Sequence, residues 1–246
     1  MIFKRYAVET SKGPYLENNE DDYSVDLNKK LFMVLDGFGG LNVGDKAAEA
    51  VRNDINNFYE NFVADPNMTL SFFYSPQYLI EGNALINACL HAHENLFEKN
   101  KSEPMASRGG VSGIVGVIAD ATLFMISVGN CSSFLLRNSE IDKLNSKESF
   151  KHFSAGFNLS KEIEIPMNAF GMFERLSFQT QEVRILNNDK VLIGSDGAFG
   201  GMKDSSVKTI FEDNAMESLS EKIKKSFSLS NNYGNTDNQT LLALEF

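Results

Sequence analysis

Leu31 to Leu35 is an unbroken apolar run of strand length, the pattern of a strand covered on both faces. The run ends at Asp36-Gly37, and Gly39-Gly40 follow. Before it, residues 2–10 read as a short strand and 11–21 as a polar connection with Gly13 and Pro14. Tyr23 to Asp26 reads as a second short strand, closed by a turn at Asn28-Lys29-Lys30. Two helices come next. Ala47, Val51, Ile55, Phe58 and Phe62 recur at helical spacing across 43–63, and a break is expected at 65–67. Leu79, Ile86, Leu90 and Phe97 define the apolar stripe of a second helix across 77–99. From 110 to 144 the period changes to that of strands. Residues 111–119 and 121–128 are apolar on both alternating faces and read as central, and 132–137 with 140–144 form a hairpin around Asn138-Ser139. Residues 145–175 lack a regular period and are expected to form a long excursion. Strands at 180–186 and 190–195 flank Asn187-Asn188, and amphipathic helices follow at 204–212 and 215–228. An Asn-rich loop from Ser230 to Asn238 precedes a last strand at 239–246.

The order is strands, helices, strands, helices, strand. That is not a regular βαβ alternation, and it predicts an α+β fold of mainly antiparallel sheets with helices outside. No internal repeat interrupts the chain, so residues 1–246 are expected to form a single domain.

Composition narrows the function. With 42% hydrophobic and 23% charged residues the chain can bury a full core, which excludes disorder throughout. Its 23 basic and 33 acidic residues give a net charge of -10. Nucleic acid is therefore not an expected partner, because binding it depends on neutralising phosphates with Lys and Arg. The same balance suits a protein that collects cations. No apolar run approaches the ~18 residues of a membrane span, and the opening residues carry no apolar core of a secretory signal, so no membrane partner and a cytoplasmic location are expected. Cys89 and Cys131 lack metal-ligand spacing and read as reduced, buried thiols.

The acids fall in a pattern. Asp36 ends one buried strand and Asp196 another, and each is followed by glycine. Asp237 precedes the last strand, and Glu20-Asp21-Asp22 precede the second. Any one of these also suits an ordinary turn, since Asp-Gly is a common turn dipeptide. Together, carboxylates at the rims of buried strands repel one another unless a cation lies between them. Mg²⁺ and Mn²⁺ prefer such oxygen ligands with waters. A glycine after the aspartate also lets a backbone carbonyl come close.

These residues also carry a resemblance. Asn19-Glu20-Asp21, VLDGFGG (Val34 to Gly40), the stretches GGVSGIVGVI and MISVGNCSSFLLRNSEIDKL, IGSDGAFGGM (Ile193 to Met202) and NTDNQTLLAL (Asn235 to Leu244) resemble, in order, the motifs of the PP2C (PPM) metal-dependent protein phosphatases in their compact bacterial form. The resemblance spans nearly the whole chain. It implies a four-layer α/β/β/α fold, a central antiparallel β-sandwich flanked by helices on both faces. It implies hydrolysis of phosphoserine or phosphothreonine in phosphoproteins, the products of a Ser/Thr kinase, by a water activated between two Mn²⁺ or Mg²⁺ ions. By matching position, Asp36 would bridge the two ions, the Gly37 carbonyl would bind one, and Asp196 and Asp237 would hold the other. Glu20 and Asp21 would act through waters, and Asn238 would fix the Asp237 loop. A monomer is expected. No nucleophile role falls to Ser195 or Cys131.

Two positions depart from that pattern. Leu16 stands where the family carries a phosphate-gripping arginine, and leucine offers no hydrogen-bond donor. Arg5, Lys12 and Arg108 are the candidates to replace it in space. Asn130 stands where the family has an aspartate that supports a third metal, so that ion is expected to be weakened or absent. Both departures also suit an alternative, a catalytically weak PP2C-like domain that binds phosphoproteins or regulates them. His91 and His93, two apart on a helix, do not share a face and are not read as ligands. His152 reads as an isolated surface or loop residue, Phe72-Phe73-Tyr74 as a loop anchor or core contact, and Phe199 and Met202 as either packing or flanks of the site. Lys222, Lys224 and Lys225 read as a solvated helix face.

Overall fold

The computed structural model describes residues 3–40, 43–65, 67–156, 159–213, 215 and 218–246, and only the backbone within 151–165. Pro66 of the expected break, residues 216–217 of the expected fourth helix and the side chain of His152 lie outside the described residues.

Two five-stranded antiparallel sheets form the centre. One has the order β1 (Arg5–Ser11), β12 (Gln239–Glu245), β11 (Lys190–Gly194), β6 (Ser132–Arg137), β7 (Glu140–Lys143). The other runs β10 (Gln179–Arg184), β5 (Thr122–Val128), β4 (Gly109–Ala119), β3 (Leu31–Gly39), β2 (Asp21–Asp26). The side chains between them come from both sheets: Phe32, Val34, Ile114 and Met125 from one, Leu135, Val191, Ile193, Leu242 and Leu244 from the other. Alternate residues of the same strands face outward, as the two-residue period requires. Met33, Leu35, Val115 and Val117 meet helices α1 (Gly44–Ala64) and α2 (Ile80–Lys101). Phe134, Leu192, Leu241 and Ala243 meet α3 (Asp204–Glu212) and α4 (Leu219–Asn232). The result is the four-layer α/β/β/α arrangement. No helix among the described residues is long and apolar enough to cross a membrane.

The structure departs from the sequence pattern in four places. First, β3 does not stop before Asp36 but runs to Gly39, pairing Asp36 with Ser112 and Gly39 with Gly109. Second, the irregular stretch contains a hairpin, β8 (Ser149–Gly156) paired with β9 (Leu159–Pro166), as a separate two-stranded sheet. Third, the buried face of α2 is rotated from the expected stripe: Leu85, Ile86, Cys89, Ala92, His93 and Leu96 are buried, whereas Leu79 is exposed. Asn83 and Asn87 on that face hold the preceding loop, accepting bonds from the backbone N–H groups of Ser75, Phe72 and Phe73. Of the aromatic run, Phe73 packs against the core while Phe72 and Tyr74 are exposed, so the asparagines rather than the rings anchor the loop. Fourth, Lys222 is buried, not solvated, and its ammonium donates to the Phe211 carbonyl at 3.0 Å, as does that of Lys190 at 3.1 Å. Two cations thus meet the carbonyl end of α3, where the helix dipole favours positive charge. Phe199 packs edge-on against Phe134, with ring centroids 5.1 Å apart, so packing is its role.

Candidate functional site

Every strand near the acids enters or leaves at one end of the two sheets. Asp21, the first residue of β2, lies directly across from Asp36 in the ladder. Asp196 follows β11 and opens a short 3-10 turn, Gly197–Phe199. Asp237 lies just before β12. Asn130 sits in the β5–β6 turn, which Gly129 makes possible by adopting φ +82°.

A network of neutral groups sets these acids. The Ser195 hydroxyl donates to Asp21 Oδ2 at 2.8 Å and accepts from the Thr240 N–H at 3.0 Å. Asn130 Nδ2 donates to Asp196 Oδ2 at 2.7 Å, while Asn130 Oδ1 is buried without a hydrogen-bond partner. Asn238 ties the loop before β12 to the connection between β1 and β2. Its Nδ2 donates to the Lys12 and Asn18 carbonyls, each at 3.0 Å, and its Oδ1 accepts from the Glu20 N–H at 2.8 Å. Glu20 Oε1 caps the start of α1 by accepting from the Gly44 N–H at 3.0 Å, and the Glu20 carbonyl accepts from Gly37. Gly37 is needed for this closeness. A Cβ there would lie 2.2 Å from the Gly44 carbonyl oxygen and 2.7 Å from that of Glu20.

Electrostatics follow from this crowding. Burial first, then the charges of Asp196, Asp21 and Asp237, push Asp36 well above the usual carboxylate range. Lys147 pulls the other way. Asp21 is raised to about 8 by burial, against the Ser195 and Thr240 hydrogen bonds, with Asp196 and Asp237 adding to the rise. Glu20 is raised by burial, which outweighs its bond from Gly44, and Asp45 and Asp237 add to it. Burial, then Asp36, Asp21 and Asp196, holds the Cys131 thiol well above its ordinary range, so it stays protonated and inert.

The structure thus brings Asp21, Asp36, Asp196 and Asp237 into one electrostatic cluster, with Glu20 at its edge. Among the described residues, no group of three or more His, Cys, Asp or Glu side chains is arranged in this structure so that it could hold a metal ion. A cavity of about 340 Å³ opens at the opposite end of the sheets, walled by Phe3, Phe32, Ile118, Leu244 and Phe246, and holds none of these acids. The candidate replacements for the missing arginine separate. Arg5 pairs with Glu245 at 2.6 Å, at the far end of β1. The Arg108 guanidinium donates to the Glu103 carbonyl. Lys12 is next to the cluster through its own carbonyl. Lys147, which sequence reasoning did not single out, bears on Asp36. It lies in a stretch with no period to mark it.

No protein-family profile matches the chain. A protein named serine/threonine phosphatase stp from Listeria welshimeri is 25% identical over 96% of this chain and 93% of its own length. Its namesake from Listeria monocytogenes is 24% identical with the same coverage. Among solved structures, the PPM Ser-Thr phosphatase MsPP from Mycobacterium smegmatis superposes with TM-score 0.74 at 18% identity, covering 99% of both chains. The Mycobacterium tuberculosis serine/threonine phosphatase PstP/Ppp superposes with TM-score 0.77 at 18% identity, covering 98% of both. A structure of the PstP catalytic domain in complex with two manganese ions has TM-score 0.71 at 18% identity and covers 98% of this chain. In sequence across nearly its whole length, and in fold, this chain is similar to the bacterial PPM (PP2C) serine/threonine phosphatases, as its motifs imply.

Proposed function

We propose that this chain is a single-domain, metal-dependent phosphatase that hydrolyses phosphoserine and phosphothreonine in phosphoproteins, acting as a monomer in the cytoplasm against a Ser/Thr kinase. What supports the reading is one observation: Asp21 and Asp36, at the ends of buried strands, are pushed towards their protonated forms by burial and by the charges of Asp196 and Asp237. A fold that places like charges together at a cost to itself calls for a counter-cation, and hard divalent ions fit an all-oxygen donor set. The relatives' names and the manganese-bound neighbour point to the same chemistry.

In this reading Asp36, Asp196, Asp237 and the Gly37 carbonyl hold two Mn²⁺ or Mg²⁺ ions, and Glu20 and Asp21 act through waters. Two such ions, when bound, supply an acidified water and neutralise charge on the phosphoryl oxygens. The chain's own residues orient the set. Ser195 and Asn130 each fix one oxygen of Asp21 and Asp196, which leaves the second oxygen's direction defined. Asn238 clamps the Asp237 loop to the Glu20 backbone. Ser195 spends its hydroxyl on Asp21 and Thr240, and Cys131 stays a thiol, so neither serves as nucleophile.

The test is hydrolysis of a phosphothreonine peptide with Mn²⁺ and after chelation. Turnover that disappears with the chelator supports the proposal. Metal binding without turnover would instead favour the domain that binds phosphoproteins without cutting them.

Asn130 bears on the third ion. Its amide donates to Asp196, where an aspartate would instead add a charge. Asn130→Asp is expected to lower the melting temperature of the metal-free protein by roughly 5 °C, because it replaces a charge-assisted hydrogen bond by a like-charge contact. With Mn²⁺ present, calorimetry should show one additional weak site. An unchanged stoichiometry would remove Asn130 as the reason for a weak third ion.

A further inference from the structure

A phosphate monoester carries two negative charges near neutral pH, and the proposed site is built from five carboxylates: Glu20, Asp21, Asp36, Asp196 and Asp237. Metal ions offset part of this repulsion. A protein cation aimed at the entering phosphoryl group would offset more, and Leu16 offers none. We propose that Lys147 is that cation, a substrate-binding residue whose ammonium receives the phosphoryl oxygens. The assignment rests on the phosphatase reading above.

The backbone around Lys147 is held from both sides. Asn145 Oδ1 accepts from the Ser133 N–H and hydroxyl, each at 2.8 Å, and its Nδ2 donates to the Cys131 carbonyl at 2.9 Å. The Ser146 N–H donates to Gln179 Oε1 at 3.0 Å, and Gln179 Nε2 returns a bond to the Ser146 carbonyl at 2.9 Å. The Glu148 N–H donates to the Gly129 carbonyl at 2.9 Å, and the Glu148 carbonyl accepts from Met167 at 2.8 Å. Lys147 is therefore fixed beside the turn Gly129–Cys131, the same turn whose Asn130 reaches Asp196. Its side chain is half-buried. Its charge bears on both Asp36, near the end of β3, and Cys131, in the β5–β6 turn. Of the other named cations, Arg5 is tied to Glu245 at the far end of β1, the Arg108 guanidinium bonds a backbone carbonyl, and Lys12 is held at the cluster by its backbone carbonyl. A lysine in this role is a point charge on a flexible stem, in contrast to a planar fork, so it binds phosphate without bidentate geometry.

The experiment compares wild type, Lys147→Met and Lys147→Arg, each loaded with Mn²⁺. Steady-state kinetics use p-nitrophenyl phosphate and a phosphothreonine peptide, with inorganic phosphate as competitive inhibitor. Calorimetry measures both inorganic phosphate and Mn²⁺ binding. Lys147→Met is expected to raise KM and the phosphate inhibition constant about tenfold, the scale of one charge-assisted hydrogen bond. It should change kcat less than about threefold and leave the Mn²⁺ affinity and melting temperature in place, and Lys147→Arg should recover most of the loss. An unchanged phosphate constant in Lys147→Met overturns the assignment, as does a defect confined to Mn²⁺ binding. If wild type with Mn²⁺ does not turn over either substrate, the phosphatase reading fails separately. Phosphate binding by calorimetry then still decides whether Lys147 receives it.

Discussion

Asp36→Asn is expected to lower the rate of p-nitrophenyl phosphate hydrolysis at saturating Mn²⁺ by about a thousandfold or more, and at the same time to raise the melting temperature of the metal-free protein. The two effects have one cause. Asp36 sits within β3, across the ladder from Asp21, and the charges of Asp196, Asp21 and Asp237 oppose its ionisation. Asparagine has the same shape and no charge. In the metal-free protein the change removes a buried like-charge conflict and leaves β3 paired. With metal it removes the ligand expected to serve both ions. A thousandfold corresponds to about 4 kcal/mol of transition-state stabilisation, within the range a metal ion supplies. Steady-state rates and a thermal melt with chelator measure the pair of effects. Equal rates for both proteins would sink the metal-ligand assignment. A lower melting temperature without metal would sink the account of repulsion.

The second large effect is in how pH acts on the metal-free protein. Asp21 has its pKa raised to about 8 in the folded state, against about 3.9 unfolded. Between those values the folded chain binds more protons than the unfolded one. Stability therefore falls as pH rises through that window, and levels off above about 8. Asp36 and Glu20, also raised, add to the same slope. His93 opposes it: burial pushes its pKa down, so its contribution is present above about 6.5 and lost as pH falls below that. Subtracting the profile of Asp21→Asn, which keeps a side-chain oxygen for the Ser195 hydroxyl, isolates the aspartate. The metal-free melting temperature is expected to drop by about 5 °C from pH 6.5 to 8 in wild type, and by less in the variant. Mn²⁺ should reverse the trend, since carboxylates bind metal only once deprotonated. A wild-type profile that stays flat or rises with chelator present would contradict the burial of these charges.

The parts of this fold that were legible in the sequence are those where burial acts on both faces. LFMVL at 31–35 and the runs of β4 and β5 are apolar throughout because helices cover one face and a second sheet the other. The acids at strand ends were legible because glycine follows two of them and the third lies near the end of an Asn-rich loop just before a buried strand. The hairpin β8–β9 was not. It pairs only with itself among the described residues, so no central sheet imposes a period on it. Lys222 was misread because a Lys-rich helix face looks solvated until α3 ends against it and presents the Phe211 carbonyl. The α2 stripe was misplaced because Asn83 and Asn87, polar in sequence, are buried to hold a loop. Lys147 was invisible for a related reason. Its position depends on Asn145, Gln179 and Gly129 meeting in space, and those lie on three separate segments.

A calorimetric titration with Mn²⁺, with hydrolysis rate followed in the same samples, addresses the centre of this account most directly. It should show two ions bound at micromolar to millimolar concentration, with the rate rising as they bind, and both signals lost in Asp36→Asn. A protein that takes up neither Mn²⁺ nor Mg²⁺ at millimolar supply, or that hydrolyses phosphate esters equally well with chelator present, would contradict it.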